Sequence, residues 1–413
     1  MDVGGCDLVE LAKEHGTPLY VYDEATVRQR ASEYVAAMGD AGQVLYSAKA
    51  FASPQFLHVI AAEGLGLDVV SAGELYLALR SGFPKDRIHF LGNNKSVEDV
   101  QSAYEAGATI VIDGEHEFQL LRDVVPEGKR TPVMLRLSPG VKPDTHDHIS
   151  TGQLDSKFGF SIESGAARKA IEIALQDPRL EVVGLHSHIG SQIFALGAYE
   201  KAMAIMLDLL VELRDELYYE PRKLGAGGGL GIAYTSNDDP PTPREFVETV
   251  RHAMVAGCAQ RNLKVPELVV EPGRSIAGPA GMALYTVGSI KDIPGVRRYV
   301  AVDGGMGDNI RPKLYGARYE AYLASDPDRA HDGKVTIAGK YCESTDILIT
   351  DIEMPPLKPG DIITLPAAGA YCLAMASNYN GMPRPEVLML RDGKARVMRR
   401  RETLEDLLAA EVF

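Results

Sequence analysis

Cysteine is scarce. The 413 residues contain four, Cys6, Cys258, Cys342 and Cys372, with no CxxC spacing. That count fits neither a structural zinc site nor a disulfide scaffold, and reduced thiols in a cytoplasmic protein are expected. Basic runs are also missing, and the net charge is −14. Nucleic acid and anionic membranes are therefore not expected as partners. No apolar stretch reaches the length needed to span a bilayer. The opening segment MDVGGCDLVELAKEHG has neither a basic n-region nor an apolar h-region, so no secretory signal is expected there. What is present is ordinary for a globular chain, 45% hydrophobic and 24% charged, and long enough for two domains.

Short β-branched runs alternate with helical patterns over most of the chain. Strands are predicted at 43–49, 66–72, 87–93, 109–114, 132–139, 182–190, 222–229 and 267–273. Helix-like segments such as SPQFLHVIAAEG and GELYLALRSG lie between them and end in glycine. Eight βα units predict a (β/α)₈ barrel, with a doubly wound open sheet as the alternative. The pattern changes after about residue 280, where strand-like runs follow one another: YTVGSI, RRYVAVDGG, KVTIAGK, DIITLPAAG and EVLMLRDGKARVM. A second, mainly β domain is expected there. The early segment TPLYVYD is strand-like too and would join it. The expected division is 24–278 for the barrel, and 1–23 with 279–413 for the β-rich domain. The irregular stretch 138–160 is long enough to predict a functional loop over the active face.

Active sites of such barrels lie at the C-terminal ends of the strands. Reactive residues fall there repeatedly: Lys49, Asp68, Asn93, Arg136, His188, Gly227 to Gly229, and Glu271 with Arg274. Lys49 sits in an apolar run, and a desolvated lysine becomes a nucleophilic amine. A lysine merely reaching to water is the competing reading. GAGGGLG (225–231) follows a strand, so its backbone N–H groups can approach a phosphate, or it is a plain turn. Arg274 adds a cation in the loop after the eighth strand, a common phosphate position in barrels. His186 and His188 are two apart and share a face. They fit catalysis, a hydrogen-bonded core or a metal site, for which Asp68 and Asp113 are further ligands. Glu271 suits either the nitrogen of a heteroaromatic cofactor or a surface ion pair. In the β-rich part, YCESTD and AAGAYCLAMASNYNGMPRPEV gather Cys342, Glu343, Tyr371, Asn378 and Tyr379.

Taken in order, LYSAKAF, LDVVSAGE, DSKFGF, HSHIGSQI, GGGLGI, EPGR, DGGMGDNIRPKLY, CES and GAYCLAMASNYN resemble the diaminopimelate decarboxylases. These belong with the alanine-racemase-like, fold-type III pyridoxal-phosphate enzymes. The matches run from about residue 17 to the C terminus. The resemblance implies that Lys49 carries pyridoxal 5'-phosphate covalently, that His188 stacks on its ring, and that Glu271 binds the ring nitrogen. Ser191, Gly228, Gly229, Gly273, Arg274 and Tyr379 would surround the phosphate, with Asp68 and Tyr371 also at the cofactor. Arg274, Arg311, Tyr315, Glu343 and Tyr371 would contact the amino-acid substrate, and Cys342 would return a proton to the product. It also implies a homodimer with shared active sites, Cys342 and Glu343 coming from the partner. Two positions depart from the family pattern: Phe51 stands where asparagine is expected, and SAGE where SGGE is commoner. Neither removes a reacting group. Among relatives of this fold, racemases pair the ring nitrogen with arginine, so Glu271 favours decarboxylation.

Overall fold

The computed structural model describes residues 1–141 and 156–413. Eight strands close into a parallel barrel: Gly42–Ser47, Gly66–Val69, Ile88–Phe90, Thr109–Ile112, Thr131–Ser138, Leu180–Ser187, Lys223–Gly227 and Glu267–Val270. Pairing of Leu268 with Gly42 joins the eighth strand to the first and closes the ring. The open-sheet alternative is thereby set aside. Each observed strand falls within or beside its predicted run but is mostly shorter at its C-terminal end. Those trimmed residues became the turns that carry the reactive groups.

The helices between the strands start where the sequence offers a cap. Ser53 accepts a hydrogen bond from the Phe56 amide and Pro54 opens the helix Pro54–Ala62, burying Phe56, Leu57, Val59 and Ile60. Ser96 and Asp99 form a reciprocal capping box on Val97–Ala106, as do Thr242 and Glu245 on Pro243–Arg261. Such caps satisfy amides that the first helical turn leaves without partners.

The chain divides into two compact units, one of Arg30–Gly231 with Asp239–Ser275, the other of Met1–Gln29, Ile232–Asp238 and Ile276–Phe413. The second unit is built on a mostly antiparallel sheet. Its central strand Gly281–Ile293 pairs with Arg297–Val302, Ile362–Leu365 and the early strand Leu19–Asp23. Leu19–Asp23 also pairs in parallel with Glu386–Arg391, so the start and the end of the chain share one sheet. Leu19, Val21, Leu284, Leu388 and Leu390 pack with Leu8 and Leu11 into one apolar cluster. The eight-residue strand Ile347–Met354 is absent from the sequence-based reading, as are four strands of two residues each among the described residues. Only Leu348 and Met354 are buried along Ile347–Met354, so alternation is faint.

Most of the predicted functional loop, residues 142–155, lies outside the described residues. Its C-terminal flank docks on the barrel. The Gly159 amide donates to Asp113 Oδ1 at 2.9 Å, and the Arg136 guanidinium lies 4.3 Å from the centre of the Phe158 ring.

Candidate active site

The first barrel strand stops at Ser47, and a 3-10 turn, Ala48–Ala50, follows. Ala48 and Ala50 are buried, while Lys49 between them is exposed. The lysine is therefore presented at the strand end and not enclosed within the strand as the sequence suggested. The Ser47 amide donates to the Pro272 carbonyl at 3.0 Å, which ties this end to the eighth strand. Gly273 sits against the same turn. A Cβ there would meet Ser47 and Ala50 at 3.0 and 3.1 Å.

Asp68, on the second strand, is buried and takes a 2.5 Å hydrogen bond from Ser47 Oγ. Burial first, then the neighbouring Glu271, push its carboxyl up to about 6, against Lys49 and the serine bond. Glu74, also beside Lys49 and Asp68, is pushed by burial to about 7.

Glu271 follows the eighth strand. Its Oε2 lies 2.9 Å from His186 Nε2, and both side chains are buried. Its Oε1 is buried with no hydrogen-bond partner among the described residues. Burial raises Glu271, but His186, Lys49 and His89 outweigh it, and the net shift is downward. The group is a carboxylate at neutral pH. The surface ion pair considered for Glu271 does not occur.

His188 lies two residues after His186, just past the end of the sixth barrel strand Leu180–Ser187. The Gly228 amide donates to His188 Nδ1 at 3.3 Å, which assigns the ring proton to Nε2. Burial first, then the cations Lys49 and Arg136, hold His188 well below the ordinary histidine value. It is a neutral ring fixed in one tautomer. Sequence spacing placed the two histidines on one face but gave no hint of their separate partners, a carboxylate and a glycine amide.

The glycine run is required first by close approach. A Cβ at Gly228 would lie 2.0 Å from the Glu271 carbonyl oxygen. Gly229 has φ +106° and approaches the Gly190 carbonyl closely enough that a Cβ would sit 2.3 Å from it. Tyr199 OH donates to the Gly228 carbonyl at 3.0 Å and fixes the loop. Beside it, Arg274 Nη2 donates to Ser191 Oγ at 2.8 Å. A hydroxyl thus helps aim the guanidinium, a cation that can meet an anion.

Sequence reasoning missed a buried ionic network on the other side of the barrel. Lys95 Nζ donates to Glu117 at 2.8 Å and to the carbonyls of Gly92 and Val111. Glu117 accepts from the Asp113 amide, and Asp113 pairs with Arg136 at 3.4 Å. Breaking a buried pair by removing one partner costs about 3–5 kcal/mol. Arg136 and Asp113 had been singled out from sequence, but Lys95 and Glu117 had not.

The β-rich unit gathers the remaining candidates within itself. Arg311 opens the short helix Arg311–Tyr315 and is buried. Its Nη1 donates to Tyr234 OH at 2.6 Å and Tyr319 OH at 2.8 Å. No carboxylate pairs with it among the described residues, and its Nε has no partner there. Tyr234 and Tyr319 were not picked out from sequence, since each lies in an irregular segment. Tyr371 adopts φ +64°, an unusual conformation for a bulky residue and one that concentrates at functional sites. Glu343 turns back on its own loop, accepting from the Thr345 amide and the Ser344 and Thr345 hydroxyls. The Cys342 amide donates to Asn380 Oδ1 at 2.8 Å, and Tyr341 stacks on Tyr379. Cys342 is exposed and Tyr379 is 43% exposed. Tyr315 is half-buried.

The barrel residues fit pyridoxal phosphate. An amine at a strand end, a neutral imidazole, a carboxylate with one unmatched buried oxygen, and a serine-aimed arginine beside a glycine loop are what its aldehyde, ring, ring nitrogen and phosphate require. The unmatched Glu271 oxygen fits this reading, because a buried acceptor without a donor is costly unless a bound group supplies one.

Comparison with known proteins agrees. Residues 24–278 match the family model of the pyridoxal-dependent decarboxylase, pyridoxal binding domain. The chain is 47% identical to the diaminopimelate decarboxylase of Bacillus subtilis, over 100% of this chain and 95% of the relative. It superposes with a TM-score of 0.92 on the diaminopimelate decarboxylase of M. jannaschii in complex with L-lysine, at 35% identity, covering 98% of this chain and 94% of the other. The Helicobacter pylori diaminopimelate decarboxylase complexed with L-lysine gives 0.89, at 31% identity, over 97% of this chain and 98% of that one. The chain belongs to the pyridoxal-dependent decarboxylases and, among them, to the diaminopimelate decarboxylases.

Proposed function

We infer that this chain is a carboxy-lyase that uses pyridoxal phosphate to decarboxylate meso-2,6-diaminopimelate at its D centre, giving L-lysine and CO2, the last step of lysine biosynthesis. The single observation that carries the chemistry is Glu271, an ionised buried carboxylate with one oxygen left for a ring nitrogen. When bound, the cofactor supplies the electron sink for the pair released as CO2 leaves. A carboxylate opposite its nitrogen keeps that sink strong.

The residues divide the work. Lys49 binds the cofactor covalently and later releases product. His188, held neutral, offers a flat face to the ring. Ser191, Gly228, Gly229, Gly273 and Arg274 hold the phosphate, with Tyr379 as a further proposed contact. Asp68 and Tyr371 complete the cofactor's surroundings. At the substrate's far end Arg311 takes the distal carboxylate and Glu343 the distal ammonium, with Tyr315, Tyr371 and Arg274 as further contacts. A pocket that bound only one of those charges would leave the other desolvated and unpaired. Cys342 returns a proton to the carbon that lost CO2. We take 24–278 as the cofactor barrel and 1–23 with 279–413 as the β-rich domain.

The enzyme acts as a cytoplasmic homodimer with shared sites, without nucleic-acid or membrane partners. Exposure of Cys342 and Tyr379 in the single chain supports sharing, as does a Glu343 whose side-chain hydrogen bonds, among the described residues, go to its own loop. A two-fold dimer sets the same patch of each protomer against its counterpart. Mixing inactive Lys49→Ala and Cys342→Ala protomers is expected to restore part of the activity, because a heterodimer keeps one intact site. No recovery after proven subunit exchange would rule sharing out. The reaction itself is tested by incubating the protein with meso-2,6-diaminopimelate and identifying the product. Stoichiometric CO2 and L-lysine are expected; a racemised diaminopimelate without CO2 would sink the reading.

A further inference from the structure

We propose that His186 is a positioning residue, whose Nε2–H holds one oxygen of Glu271 so that the carboxylate stays ionised and turns its other oxygen to the cofactor's ring nitrogen. The inference deepens the reading of Glu271 as the ring-nitrogen partner and rests on it.

The geometry is direct. His186 is 1% exposed and Glu271 6%, and the 2.9 Å contact between them occupies only Oε2. Oε1 remains buried without a partner among the described residues. An ionised carboxylate accepts and cannot donate, so the shared proton sits on the imidazole. The ring is seated by the seventh strand. His186 pairs in register with Gly225, and a Cβ at Gly225 would lie 2.9 Å from His186 Cδ2. The glycine therefore leaves room for the imidazole, a use of GAGGGLG separate from any phosphate.

A second buried carboxylate in the same barrel provides the contrast. Asp68 is as deeply buried as Glu271, also faces Lys49, and also takes a side-chain hydrogen bond, from Ser47. Its hydrogen bond comes from a hydroxyl, and burial carries it up to about 6 even though Lys49 and His186 pull it down. Glu271, facing Lys49, His89, Arg136 and the like charge of Asp68, ends below its ordinary value. The His186 hydrogen bond is the contact that Glu271 has where Asp68 has a serine hydroxyl.

The test uses holoenzyme loaded with pyridoxal phosphate carrying ¹⁵N in the ring. His186→Gln keeps an N–H donor, and His186→Leu removes it. The ring-nitrogen resonance is expected at the pyridinium position in wild type and His186→Gln, and at the neutral pyridine position in His186→Leu. Affinity of His186→Leu for pyridoxal phosphate should fall roughly tenfold or more, the size expected for a lost bond to a charged group. A purely structural histidine would weaken binding without moving the resonance. Retention of pyridinium in His186→Leu, with its loss in Glu271→Gln, would overturn the role of His186 alone. Neutral pyridine in wild type would overturn the assignment of Glu271, and this inference with it. Should His186→Leu not fold, His186→Asn, whose shorter amide cannot reach Glu271, makes the same comparison.

Discussion

Replacing Lys49 with alanine is expected to lower kcat by roughly 10⁴-fold or more and to abolish the cofactor adduct that borohydride fixes on wild type. The chemical reason is the proposed role of this amine at the end of the first strand, to bind the cofactor and let product go. An electrostatic effect accompanies it. Lys49 is a cation facing Asp68, Glu74 and Glu271, and it lowers all three. Asp68 and Glu74 already sit at about 6 and about 7 because burial lifts them. Carboxyls raised in the folded state bind more protons than in the unfolded chain. Their contribution to stability is full below the unfolded value, about 4, and is lost as pH rises through the folded value. Without Lys49 those folded values rise further. The cofactor-free Lys49→Ala protein should therefore lose more thermal stability between about pH 4 and 8 than cofactor-free wild type does. Full-yield borohydride trapping in the variant would refute the assignment of the lysine, and an unchanged pH profile would refute its electrostatic part.

Arg311→Ala is expected to cost about 100-fold or more in kcat/KM with meso-2,6-diaminopimelate, and much less with an amino acid lacking a distal carboxylate. Arg311 is buried, two tyrosine hydroxyls hold one of its nitrogens, and its Nε is unmatched among the described residues. A buried guanidinium set up in this way awaits an anion, and a carboxylate can meet it bidentately. The same charge repels the side-chain ammonium of lysine or ornithine, which adds discrimination by repulsion. Arg311→Lys preserves the charge without the fork, so it should recover only part of the loss. An equal loss for every substrate in Arg311→Ala would show that the arginine only supports its own unit.

Most of the architecture was legible because its signals are local. Eight apolar β-branched runs mark eight strands, and the reactive residues at their ends mark the face that carries the site. The strand Leu19–Asp23 was legible for the same reason. Ile347–Met354 was not, because an edge strand with two buried positions leaves little pattern. Within the site, identities were readable and relations were not. Glu271 and His188 could be named from their strand-end positions. That Glu271 meets His186, that the Gly228 amide orients His188, and that Tyr234 and Tyr319 hold Arg311 depend on contacts between segments far apart in sequence. Lys95 and Glu117 were invisible for a related reason. A lysine in NNKS reads as a solvated loop residue until the fold brings a carboxylate to it.

The central claim, decarboxylation directed by the substrate's far end, is tested most directly by CO2 release from wild-type holoenzyme given meso-2,6-diaminopimelate, L-lysine, L-ornithine and L-arginine in parallel. The account predicts the highest kcat/KM for meso-2,6-diaminopimelate, with L-lysine as product and little release from the other three. Preference for lysine, ornithine or arginine would contradict it.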